Sequence, residues 1–163
     1  MEKVKFEQSI QDGVHSKLAA MAGYWTGTCK VWFGPDTLAD ESAVEASIRP
    51  VLGGRFLIHE YRSTFQGKPL EGIALIGFDL SSNEYQVAWA DSFHMSTGIM
   101  FSVGKNDDVL QVLGSYGGGE PAERWGWQTE IVLDVNDRLI MTAYNISPAG
   151  ESVKATEAIF TRA

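Results

Sequence analysis

Only one cysteine, Cys29, occurs in the 163 residues. No internal disulfide can brace the chain, and none is required. A domain of this length buries roughly 70% of its unfolded surface and supplies its own core. Basic residues are also scarce: thirteen Lys and Arg stand against twenty-one Asp and Glu, a net charge of −8. The few cations are scattered (Lys3, Lys17, Lys30, Arg49, Arg62) rather than clustered. Nucleic-acid binding draws its affinity from neutralised phosphates, so the charge argues against DNA or RNA, and equally against an anionic membrane surface. No apolar run approaches the ~20 residues of a membrane-spanning helix. The amino terminus, MEKVKFEQSI, lacks the apolar stretch of a secretory signal. The expectation is one soluble, cytoplasmic domain with no nucleic-acid and no membrane partner.

Helical periodicity is nearly as rare. From Asp12 to Gly23, Val14, Leu18 and Met21 fall at i, i+4 and i+7 on one face. Asp12 suits a helix start and Gly23 the residue just past its end. This short helix is expected to close one end of the fold, after a flexible lead-in over residues 1–12. From Tyr24 onward, short runs rich in Val, Ile, Phe, Tyr and Trp alternate with turn signals such as Gly34-Pro35-Asp36 and Gly117-Gly118-Gly119. They leave about ten strand candidates, near 24–33, 42–51, 55–65, 70–80, 84–91, 97–104, 108–116, 122–134, 138–147 and 151–162. No helix-length segment separates them, so parallel crossovers are excluded. Ten sequential hairpins avoid two bare edges by closing on themselves. The predicted fold is mainly β, a ten-stranded antiparallel up-and-down barrel with one helix at an end.

Two sets of residues carry family resemblances. Gly23-Tyr24-Trp25, directly after the helix, resembles the Gly-x-Trp signature of calycins, the group of lipocalins, fatty-acid-binding proteins and avidins. That resemblance implies that Trp25 closes one barrel end beneath an Arg from the final segment, here Arg162. The second set comprises Leu52-Gly53-Gly54-Arg55-Phe56-Leu57, Glu71 to Asp79, Trp89-Ala90-Asp91-Ser92, Ser96 to Met100 and the closing Thr161-Arg162. In order and spacing, from about residue 15 onward, they resemble the domain of unknown function 1579 family. This implies a calycin-like barrel and brings no established activity. Gly23 to Gly27 is also similar to the Gly-x-Trp-x-Gly start of nitrobindin-like haem barrels. Those ligate iron through a His near the carboxyl end, whereas here no His follows His94. No cofactor is therefore expected.

Alternation assigns faces where it is clean. Trp25, Gly27, Cys29, Val31 and Phe33 share one face and are expected inside, as are Val44, Ala46 and Ile48. Tyr85, Val87, Trp89 and Asp91 lie together, a carboxylate ending an aromatic row. Strand 55–65 stays open: Leu57, His59 and Tyr61 form one face, and Phe56, Ile58, Glu60 and Arg62 the other. An apolar interior with a few polar groups is the usual make-up of a small-molecule pocket.

The candidate ligand-binding residues are His59, Tyr61, Trp89, Asp91, His94, Trp127, Glu130, Tyr144 and Glu157. His59, Asp91 and His94 could act in acid–base chemistry, or His94 could simply sit exposed near a barrel mouth. Glu130 and Glu157 occupy apolar contexts and could face either way; facing inward and unpaired, a carboxyl would be raised in pKa. The family resemblance favours Glu157, because a Glu commonly precedes the final apolar-Thr-Arg segment there. The aromatics could stack on a flat ligand or simply fill the barrel. No His-x-His, His-x₃-His or Cys-x₂-Cys spacing indicates a metal. No Gly-x-Ser-x-Gly elbow is present, and the triple glycine precedes a strand, so it is no phosphate cradle.

Three functions follow. The first is a carrier for a small hydrophobic or aromatic molecule. The second is a barrel enzyme for proton transfer, such as isomerisation or cyclisation. The third is a module that self-associates through an outward Trp32.

Overall fold

The computed structural model describes residues 5–105 and 109–163. Ten strands form a closed antiparallel barrel in which each pairs with its sequence neighbours, and the last seals against the first. They are β1 (Gly23–Gly34), β2 (Thr37–Val51), β3 (Phe56–Phe65), β4 (Lys68–Asp79), β5 (Glu84–Asp91), β6 (Met100–Lys105), β7 (Leu110–Tyr116), β8 (Trp125–Leu133), β9 (Leu139–Ile146) and β10 (Ser152–Arg162). The seam runs from Trp25 opposite Arg162 to Val31 opposite Thr156. The break between the predicted strands 97–104 and 108–116 falls largely outside the described residues. Among the described residues no helix is long and apolar enough to cross a membrane.

The amino-terminal segment departs from expectation. Phe6–Asp12, expected to be a flexible lead-in, forms α1, and Val14–Ala19 forms α2. The break comes at Gly13, whose backbone is extended (φ −108°, ψ −153°). Buried Ser9 holds the break: its Oγ accepts the His15 backbone N–H at 3.2 Å and lies 2.8 Å from Nδ1 of the same residue. Asp12 therefore ends a helix rather than starting one. Leu18 and Met21 pack into the barrel core, so the helix pair closes the end where β1 begins.

That end is filled by Trp25, Leu57, Ile76, Leu139 and Phe160, each 2% exposed or less. Truncating a ring such as Phe160 to Ala at such a site costs about 3–5 kcal/mol. Trp25 donates its Nε1–H to the carbonyl of Met21 at 3.0 Å. The Arg162 guanidinium lies 4.3 Å from the Trp25 ring centroid, and donates to the carbonyls of Ala22 and Ala20 at 2.8 Å each. Gly23 is required beside them. Its φ is +144°, and a Cβ there would come 2.8 Å from Arg162 Nη1.

One face assignment and one strand boundary need correction. Phe33 is exposed rather than interior: it lies past the register shifts at the far end of β1, where its ring meets Phe65 at the barrel rim. β2 begins at Thr37, five residues before the predicted start. Its polar opening, Thr37 to Glu41, pairs with the far end of β1 where both faces meet solvent. Strand β3 is now resolved: Leu57 and His59 are buried, and Tyr61 packs against the same core.

Candidate functional site

Above the Trp25 plug the barrel narrows around an internal cavity of about 150 Å³. Its floor and walls are mostly apolar, with Val31 from β1, Val44 from β2, Ile76 from β4, Val112 from β7 and Phe160 from β10. A larger depression of about 820 Å³ lies over β1–β5, lined by Glu45, Glu60, Arg62 and Glu71. That surface is open and charged, whereas the interior is where buried polar groups meet an apolar wall.

The aromatic part of the wall is built by alternation on facing strands. Trp89 of β5 and Trp127 of β8 stack with centroids 5.5 Å apart and planes at 14°. The His94 ring closes the group, 5.5 Å from Trp89 and 5.1 Å from Trp127. Phe33, Phe65 and Phe93 continue a row of rings at that end of the barrel, at 5.6 and 4.5 Å.

A hydrogen-bonded chain runs through this wall. Trp89 Nε1–H donates to the Tyr61 hydroxyl at 2.9 Å, and Tyr61 donates to Asp91 Oδ2 at 3.1 Å. His94 Nδ1 lies 2.7 Å from the same oxygen. The second oxygen, Oδ1, accepts the backbone N–H groups of Phe93, His94 and Met95 at 3.2, 2.5 and 3.2 Å. Asp91 thus folds the segment after β5 back over the mouth and fixes the His94 ring. Burial alone would raise the Asp91 carboxyl; the hydrogen bond and charge of His94, with the backbone donors, hold it below its ordinary value. A carboxylate only accepts, so Nδ1 carries the proton and Nε2 is the free nitrogen of the His94 ring. Burial, then the Asp91 charge, pushes the Tyr61 phenol far up.

His59 differs. It is 7% exposed, and burial lowers its imidazole to about 4, so it is neutral near pH 7. Its ring lies 5.1 Å from that of Tyr61. Yet Nε2 finds no hydrogen-bond partner, the one such buried side-chain nitrogen or oxygen among the described residues.

Six sequence candidates therefore meet at the cavity: His59, Tyr61, Trp89, Asp91, His94 and Trp127. Glu130, Tyr144 and Glu157 do not line it. In β8 the inward residues are Trp127, Thr129 and Ile131, which turns Glu130 outward. The register sets Glu130 opposite Thr142, which pairs on with Glu157, and Gln128 opposite Tyr144, which pairs on with Lys154. Glu157 accepts the Lys154 ammonium at 2.9 Å. Lys154 also lies 5.6 Å from the Trp32 ring centroid, so that indole is half-buried. Thr129 and Thr156 were missed. Each sits at the parity of a large buried neighbour, Ile131 or Phe160, and that parity was the available signal.

The family described as a protein of unknown function (DUF1579) matches residues 11–162. The chain belongs to this family. No curated protein matches it in sequence. Among solved structures, Rv2717c from M. tuberculosis is similar, with a TM-score of 0.61 and 16% identity over 91% of this chain and 96% of that one. Likeness at that identity shows the fold alone.

For this DUF1579 member the chemistry must come from its own residues. Among the described residues no three His, Cys, Asp or Glu side chains converge on a metal-sized point. A porphyrin, with four pyrrole rings, does not fit a space that suits about one benzene ring. Cys29 lines the cavity, but burial first and the Asp40 charge second raise its thiol to about 11. It is a poor nucleophile near neutrality. The Asp91–His94 pair instead holds an imidazole in a fixed orientation at the cavity. An oriented imidazole can take or give a proton at Nε2.

Proposed function

We propose that this protein holds a compact, largely apolar molecule inside the barrel, as a carrier or receptor in the cytoplasm. One observation carries the reading: the 150 Å³ interior pairs apolar walls and two stacked indoles with a buried polar atom that the chain itself leaves unpaired. Ligand pockets have this make-up, an apolar lining with few placed polar groups. Freshly purified protein is expected to show, by native mass spectrometry, a bound species of a few hundred daltons or less. Ligand-free protein is expected to change its tryptophan emission with a small aromatic molecule. Absence of both effects would remove the reading.

A second reading rests on the Asp91–His94 pair. A ligand whose acidic C–H met His94 Nε2 could lose and regain a proton there, with Asp91 stabilising the imidazolium. Protein loaded with its co-purified ligand in D₂O is then expected to place deuterium on a ligand carbon, and His94→Ala to stop it. Carbon-bound deuterium at the solvent background rate in both proteins would dismiss catalysis and leave binding intact.

A further inference from the structure

The hydrogen-bond needs of the cavity wall are unequal. Trp89, Tyr61 and Asp91 satisfy one another and hold His94 through Nδ1. His59 stands beside them, 93% buried by the complement of its 7% exposure, with Nε2 unpartnered. A buried polar atom left unpaired is costly, so the chain favours whatever supplies the missing bond. We propose that the cavity recognises small uncharged phenols, one aromatic ring whose hydroxyl bonds His59 Nε2. The proposal rests on the carrier reading and names the chemical class of its ligand.

Three observations converge on that class. Size comes first: a cavity of about 150 Å³ lined by apolar side chains accommodates benzene, and a phenol adds a single oxygen. Shape comes second. Trp89 and Trp127, stacked on one another, both line the space, and an aromatic wall favours a ring over a chain. The hydrogen-bonding group comes third. A neutral imidazole donates or accepts at Nε2 according to its tautomer. A hydroxyl serves either case, whereas an ether or ketone serves only one. Charge narrows the class further. The Asp91 carboxylate lines the same cavity, and an anionic ligand would enter an apolar site without a counter-ion. The phenolate and the benzoate are therefore disfavoured.

Phenol and toluene separate these ideas, since they share size and ring and differ in the hydroxyl. Titration of the intact protein at pH 7, read by tryptophan emission and calorimetry, is expected to show phenol binding about tenfold tighter than toluene, the value of one otherwise missing hydrogen bond. His59→Leu is expected to erase that preference, and His59→Gln, which keeps a donor and an acceptor, to restore part of it. Should the Leu variant fail to fold, the imidazole nitrogen shifts of the unaltered protein give the same answer: phenol is expected to move His59 Nε2 and toluene to leave it. Equal binding of phenol and toluene would overturn the phenol proposal and leave the carrier reading standing, as would a preference that survives in His59→Leu. Binding of neither would overturn the phenol proposal, and would overturn the carrier reading too if native mass spectrometry also shows no co-purified species.

Discussion

Replacing Arg162 by Ala is expected to unseal the Trp25 end of the barrel and to cost about 2–4 kcal/mol. Two hydrogen bonds to the carbonyls of Ala22 and Ala20, each 2.8 Å, would be lost. A charged donor contributes about 1.5–3 kcal/mol per bond when shielded; with the Arg162 side chain 38% exposed, screening roughly halves that. The guanidinium over the Trp25 ring, at 4.3 Å, adds about 0.5–1 kcal/mol. The contact with Asp137 at 2.7 Å adds little, because that carboxylate is 56% exposed and surface pairs contribute about 0–1 kcal/mol. For a domain of this size each kcal/mol lowers Tm by about 2–4 °C, so a fall of about 5–15 °C is expected by circular dichroism. Asp137→Ala serves as the control and, because the backbone there is left-handed (φ 58°), is expected to cost about 1 kcal/mol. Arg162→Lys keeps the charge without the two-pronged geometry and is expected to recover less than half. An Arg162→Ala protein that melts with the parent would refute the reasoning, as would an Asp137→Ala protein that loses as much.

Four further outcomes are expected. Between the folded value of about 4 for His59 and its ordinary 6.5, the unfolded chain binds a proton that the folded chain does not. Stability is therefore full above pH 6.5 and declines as pH falls toward 4, by at most about 3 kcal/mol from this group. His15, lowered first by burial and then by the Arg55 charge, adds in the same sense. Urea melts at pH 7 and 4.5 are expected to show a shallower loss for His59→Leu, and an unchanged loss would contradict the assignment. Asp91→Asn keeps an acceptor for the three backbone N–H groups but faces Tyr61 or His94 with a donor. It is expected to cost about 1–3 kcal/mol and to speed amide exchange over 93–98; unaltered protection there would count against the anchor. Gly72→Ala would place its Cβ inside the Tyr61 ring, so a shifted Trp89 emission and a loss of about 1–3 kcal/mol are expected. Cys29, raised to about 11, is expected to resist iodoacetamide at pH 8 until urea unfolds the chain; rapid native labelling would disprove its burial.

Strand count and barrel closure were legible because each rests on a local signal, whereas the Trp25–Arg162 pairing followed from the resemblance to calycins. Turn residues punctuate the strands, period-2 alternation marks the faces, and bare edges force a closed sheet. Of the six candidates that meet at the cavity, alternation put Trp89 and Asp91 on one face and His59 with Tyr61 on one of two open faces, whereas His94 stood in a stretch without a period. Parity could also have turned Glu130 and Glu157 outward, since on a regular strand Glu130 cannot share the face of Trp127, nor Glu157 that of Phe160. Other features lay beyond any periodic reading. The exposure of Phe33 depends on how β1 ends against β2, past the register shifts after Val31, and the helix break at Gly13 is held by Ser9 meeting His15 across the gap. Asp91 and His94 are three residues apart in a stretch with no period, so only the fold-back over the mouth shows one carboxylate gathering the ring, three amides and the Tyr61 hydroxyl. The isolation of His59 is decided last of all. Whether a buried nitrogen has a partner depends on every strand around it, and tertiary packing alone settles that.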